Sequence, residues 1–187
     1  MKSPLVHKLL RRHFLPFLFE HGLERPMAPT AGVACTNHAG LHLRVGYVLG
    51  VGFYDWTGNT IRLLGTVSKV GIVNRSLMAD EVQPECLLPG VLRDRLRDLA
   101  IRKLSLIATT GQHRDPAAPR YVKYPGDILK PLRRAKEDAG HVPDFRYQDE
   151  ADLKSWCAVV RPFIPDCIAT LKAEAERLAR DRDLPRE

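Results

Sequence analysis

The hydrophobic pattern of the first twenty residues indicates a helix. Ser3 and Pro4 suit a helix start, because a serine side chain caps free backbone N–H groups and proline fits the first turn. Apolar residues then recur at helical spacing, and Gly22 is suited to end the helix. Pro16 lies inside this pattern, so we expect a kink there.

A pattern of period two follows and predicts antiparallel strands over residues 41–75. Its first apolar positions alternate with His42, Arg44 and Gly46, as in a strand with one buried face. These apolar positions are Leu41, Leu43, Val45 and Tyr47. A turn over 55–59 and a second extended run over 61–73 complete a hairpin, and a short strand is expected at 33–36.

The remainder of the chain is predicted to be mainly helical. Helices are expected over 90–107, from Asp127 to about 140, from Asp149 or Asp152, and again from about Pro165 after a break at Pro162 and Pro165. A short extended piece is expected at 143–148. The order of elements predicts an α+β fold, in which an N-terminal helix and a small antiparallel sheet are followed by three or four helices packed on one sheet face.

Length and composition favour one globular domain over residues 1–187, with a charged tail that frays from about 174. No apolar run reaches the roughly 18 residues that a membrane-spanning helix needs. The basic start of the chain is also typical of a mitochondrial transit peptide, but it fits a domain helix better. The four cysteines form no C-x-x-C pair, which favours reduced thiols and a cytoplasmic location.

Positive charge is concentrated in the middle of the chain. The net charge is +7, and residues 93–136 hold 12 Lys or Arg against 4 Asp or Glu. Two tyrosines interleave with these cations, and Trp56 at the predicted hairpin tip is a further candidate anchor. The candidate binding residues are Trp56, Arg114, Arg120, Tyr121, Lys123, Tyr124, Lys130, Arg133, Arg134 and Lys136.

Three functions fit this pattern. The first is a non-enzymatic protein that binds an acidic protein partner, with the cations steering the encounter. The second is a nucleic-acid-binding domain that uses the basic segment 93–136, because cations neutralise phosphates and rings stack on bases. The third is an enzyme whose site is assembled from distant residues. The basic segment could instead fold against the acidic C-terminal helices, which would cancel its field.

Local motifs for catalysis, metals and cofactors are weak, so no catalytic residue, metal site or cofactor is predicted. The glycines at 46, 50 and 52 match no phosphate-binding loop and fit strand bulges better. His38 and His42 would lie roughly 13 Å apart along a strand, too far for one metal ion. The stretch Thr109–Asp115 combines hydroxyls, an imidazole and a carboxylate, but it is typical of a hydrogen-bonded loop.

Overall fold

The computed structural model describes residues 3–26, 32–50, 59–69, 89–110, 126–138 and 142–183. Within these ranges the helices are α1 (Ser3–His13), α2 (Leu15–Glu20), α3 (Gly90–Thr110), α4 (Gly126–Glu137), α5 (Glu150–Val160) and α6 (Ile164–Asp183). The strands are β1 (Val33–His38), β2 (Leu41–Gly50), β3 (Asn59–Lys69) and β4 (Phe145–Tyr147). The prediction of an α+β fold is therefore confirmed.

The four strands form one antiparallel sheet in the order β1-β2-β3-β4. The predicted hairpin is the pair β2 and β3, in which Tyr47 lies opposite Leu63. Its predicted turn at 55–59 lies almost wholly outside the described residues. The extended piece predicted at 143–148 is β4, which joins the far edge of β3 with Ile61 opposite Phe145.

One face of the sheet carries the main core. The period-two pattern of β2 is confirmed, because its four alternating apolar side chains are all buried. Helices α1, α2, α5 and α6 pack over this face, and Trp156 of α5 is 1% exposed. Other fully buried side chains of this core are Leu10, Leu18 and Leu92 of the helices and Phe14, which lies between α1 and α2.

Local sequence signals set the helix ends. The predicted kink separates α1 from α2, and Pro16 lies in the first turn of α2, where its missing N–H costs nothing. Asp149 caps α5, since its side chain accepts a hydrogen bond of 3.0 Å from the N–H of Asp152. Pro162 lies in a single 3-10 turn between α5 and α6. The charged stretch from 174 is helical to Asp183, and Ala175 is buried.

Candidate binding surface

Helix α3 contains the first part of the basic segment 93–136 and connects the main core to α4. Its first half places Leu92 and Leu96 in the core. Further along, Lys103 Nζ lies 2.7 Å from Asp152 Oδ2 and donates to Gln148 Oε1 at 3.0 Å. Asp152 also accepts a 2.7 Å hydrogen bond from the backbone N–H of Gln148. These largely buried polar contacts fix α3 against the first turn of α5.

Replacing Lys103 by methionine is expected to destabilise the protein by about 1–3 kcal/mol, because the substitution leaves the Asp152 carboxylate largely buried without its cation. The measurement is urea-induced unfolding followed by circular dichroism. Lys154→Met is the matched control, since Lys154 pairs with Glu150 on the surface and such pairs contribute about 0–1 kcal/mol. Equal losses in the two variants would contradict the role given to the Lys103 contact.

The second half of α3 leaves the main core and holds α4. Leu104 and Ile107 of α3 form a second hydrophobic cluster with Leu132 of α4. Ile101 and Ala108 pack against the edge of this cluster. Because this cluster is separate from the main core, the position of α4 depends on α3.

The face of α4 that points away from α3 is basic and exposed. Leu132 and Ala135 are buried, so the side chains on the opposite side of the helix face solvent. Four of the predicted binding residues are exposed on α4: Lys130, Arg133, Arg134 and Lys136. Helical spacing places Lys130, Arg133 and Arg134 opposite the buried pair, together with Glu137, whereas Lys136 and the 50% exposed Leu129 flank Leu132. We call the four cations and Leu129 the α4 basic face.

Three acidic side chains of α6 contact residues outside α4. Glu174 and Asp181 both bind Arg177, while Glu176 lies 2.8 Å from His38 Nε2. Within α4, Arg133 Nε lies 3.8 Å from Glu137 Oε1, and both side chains are mostly exposed. A contact of this kind contributes little. The contacts of α4 therefore do not support the hypothesis that the acidic helices neutralise the positive charge of the basic segment.

The other predicted binding residues lie outside the described residues: Trp56, Arg114, Arg120, Tyr121, Lys123 and Tyr124. The loop prediction that begins at 109 needs a correction at its start, because α3 runs on to Thr110. Thr109 Oγ1 donates to backbone carbonyls of the preceding turn, including that of Ser105 at 3.0 Å. Because its hydroxyl donates to carbonyls of its own helix, Thr109 belongs to α3 and not to a loop. The rest of the stretch to Asp115 is not described.

The structure also pairs cations with aromatic rings in places that the sequence did not indicate. The Arg161 guanidinium carbon lies 4.6 Å from the ring centre of Phe17, and that of Arg95 lies 5.1 Å from the ring centre of Phe163. These contacts join the 3-10 turn to α2 and to α3. In both contacts the arginine and the ring lie far apart in the sequence, so no local pattern could have indicated them.

The buried cysteines are not suited to nucleophilic chemistry. Burial raises the pKa of Cys157 to about 11 and that of Cys167 to about 12. Burial also raises the pKa of Cys35, and the Glu24 carboxylate adds to this effect. A thiol attacks as its thiolate, so these three side chains are poor nucleophiles near neutral pH.

A small cleft opens where β3 and β4 diverge. It measures about 450 Å³ including open solvent, and Ile61, Leu63, Leu96, Phe145 and Trp156 form much of its apolar lining. The pairing of β3 with β4 ends at Ile61 and Phe145, and Pro143, which has no N–H to donate, lies two residues before Phe145. The charged residues that line the cleft are Arg62 and Asp144.

Membrane-spanning helices and clusters of metal ligands are both absent from the described ranges. These ranges hold no helix that is both long enough and apolar enough to cross a membrane. They also bring no three His, Cys, Asp or Glu side chains together in a way that could hold a metal ion. No family model matches the chain, and no curated protein or solved structure matches it significantly.

Proposed function

We propose that this protein is a non-enzymatic binding protein and that its α4 basic face contacts an acidic protein partner. The observation that carries the proposal is the exposure of four cations on a short helix that Leu132 anchors to α3. Cations on such a face speed the encounter with an acidic surface and select against basic ones.

The composition of the α4 basic face favours a protein over a nucleic acid. Leu129 lies one helical turn before Arg133 and offers an apolar contact at the edge of the charged surface. Helix α4 contains no aromatic residue, whereas surfaces for single-stranded nucleic acid combine cations with stacking rings. Both arginines can bind carboxylates through paired hydrogen bonds.

Zero-length cross-linking tests this proposal, because a carbodiimide joins lysine amines directly to carboxylates that touch them. The tagged protein is cross-linked in extract of its source cells, and the linked peptides are identified by mass spectrometry. We expect Lys130 and Lys136 to link to Asp or Glu of one stoichiometric partner. Lys172, which is exposed on α6, is the internal control and is expected to form no such link.

Reversing the charge of two α4 arginines tests the same proposal through loss of partner binding. Arg133→Glu combined with Arg134→Glu is expected to abolish the cross-links and to weaken capture of the partner at least tenfold, or about 1.4 kcal/mol. Lys172→Glu combined with Arg180→Glu changes the net charge by the same amount on α6 and is expected to leave capture unchanged. Equal loss in both double variants would show attraction to net charge alone and would contradict a defined surface.

A further inference from the structure

A histidine lies at the contact between α1 and the sheet. His7 Nδ1 lies 3.1 Å from the hydroxyl oxygen of Tyr47 on β2, and the two ring centres are 5.8 Å apart. The neighbouring contacts of α1 with the core are apolar and come from Val6, Leu10 and Phe14. His7 therefore places a titratable group at the edge of an apolar contact between two elements.

Tyr47 is fixed in one position and stays uncharged. Its side chain is 2% exposed, and Phe14 packs edge-on against its ring at 6.1 Å between centres. A side chain at position 32 would collide with this ring, since a Cβ built on Gly32 would lie 2.6 Å from it. Burial raises the pKa of Tyr47 to about 12, so its hydroxyl remains a neutral group near pH 7.

We propose that protonation of His7 weakens the docking of α1 on the sheet, so that α1 opens more often as the pH falls from neutral to mildly acidic. Neutral Nδ1 can accept the proton of the Tyr47 hydroxyl, whereas a protonated imidazole cannot accept at either nitrogen. The hydroxyl proton must then turn away from Nδ1, so that the Tyr47 oxygen accepts instead of donating, and a new cation is left partly buried against apolar side chains.

The surroundings of His7 oppose this new cation. Burial lowers the pKa of His7, and Arg11, one turn further along α1, lowers it further. Two other titratable groups lie near Tyr47, namely Cys157 of α5, whose thiol stays neutral because burial raises its pKa to about 11, and Tyr147 of β4. The direction of the pH effect on docking follows from this lowered pKa. A histidine whose pKa is lowered by folding favours the docked state above its unfolded pKa of about 6.5. That advantage is lost as the pH falls towards the lower, folded pKa.

Hydrogen exchange of the α1 amides tests the proposal. Protection of these amides, corrected for the intrinsic exchange rate, is compared at about pH 7.5 and about pH 5, which span the titration of a histidine. We expect protection in α1 to fall several-fold more than protection inside α6. In His7→Gln, which keeps a hydrogen-bonding group but does not titrate, the difference between the two pH values should vanish.

Two controls separate this effect from general acid destabilisation. His13→Gln removes another α1 imidazole, one that lies near the Glu150 carboxylate, and should keep the pH dependence of the unmodified protein. A nuclear magnetic resonance titration of the His7 imidazole needs no variant and should give a pKa below about 6.5. The proposal would be overturned if protection of the α1 amides were the same at both pH values, or if it fell equally in His7→Gln. A His7 pKa at or above about 6.5 would also overturn it.

Discussion

Replacing Trp156 by alanine is expected to lower the free energy of unfolding by about 3–5 kcal/mol. Trp156 is 1% exposed and is among the largest side chains that are fully buried. Its ring lies 5.3 Å from that of Phe14, so it joins α5 to the end of α1. It also lines the cleft beside Leu96 and Phe145, so one substitution removes contacts with several elements.

Urea-induced unfolding measures this loss, and Leu5→Ala is the control. Leu5 is 49% exposed on α1, and an exposed substitution of this kind changes stability by only about 0.5 kcal/mol. A loss below about 1 kcal/mol for Trp156→Ala would be too small for a filled core site and would contradict the packing of α1, α3 and α5 around this ring.

Gly46→Ala is expected to destabilise the protein by about 3 kcal/mol, at the upper end of the cost of overpacking. A Cβ at this position would meet the carbonyl oxygen of Gly32 and would lie 2.8 Å from Val33 Cα. Both are backbone atoms, so no side chain can move aside. The start of β1 would have to shift, and the 2.9 Å hydrogen bond from the Tyr47 N–H to the Gly32 carbonyl would be strained.

Gly90→Ala is the matched control for this prediction. A Cβ on Gly90 meets no atom within 4 Å, and this residue is the first of α3. The thermal midpoints of the two variants are compared with that of the unmodified protein. A stability loss for Gly46→Ala as small as that for Gly90→Ala would show that β1 and β2 do not approach each other as closely at this point.

The parts of the fold that the sequence predicted are those controlled by local forces. The alternation along β2 depends on neighbouring side chains, and the start of α5 depends on Asp149 reaching an N–H three residues away. The place of β4 in the sheet was not predictable in this way. Residues 145–147 are too few to show a period, and they become a strand because they pair with β3 across more than eighty residues of chain.

The same distinction between local and long-range contacts applies to the α4 basic face. The sequence identified Lys130, Arg133, Arg134 and Lys136, because their charge is a property of each residue. It could not show which way they face, since that depends on Leu132 packing against α3. It also missed the contact between Lys103 and Asp152, which joins two helices almost fifty residues apart.

Fluorescence anisotropy with defined probes tests the central claim most directly. A labelled helical peptide rich in glutamate and leucine, and a labelled single-stranded oligonucleotide, are titrated with the protein at about 50 and 200 mM salt. We expect the peptide to bind, Arg133→Glu with Arg134→Glu to weaken its binding at least tenfold, and Lys172→Glu with Arg180→Glu to have little effect. Tight oligonucleotide binding without peptide binding, or peptide binding unaffected by reversal on α4, would contradict the claim that the α4 basic face binds an acidic protein.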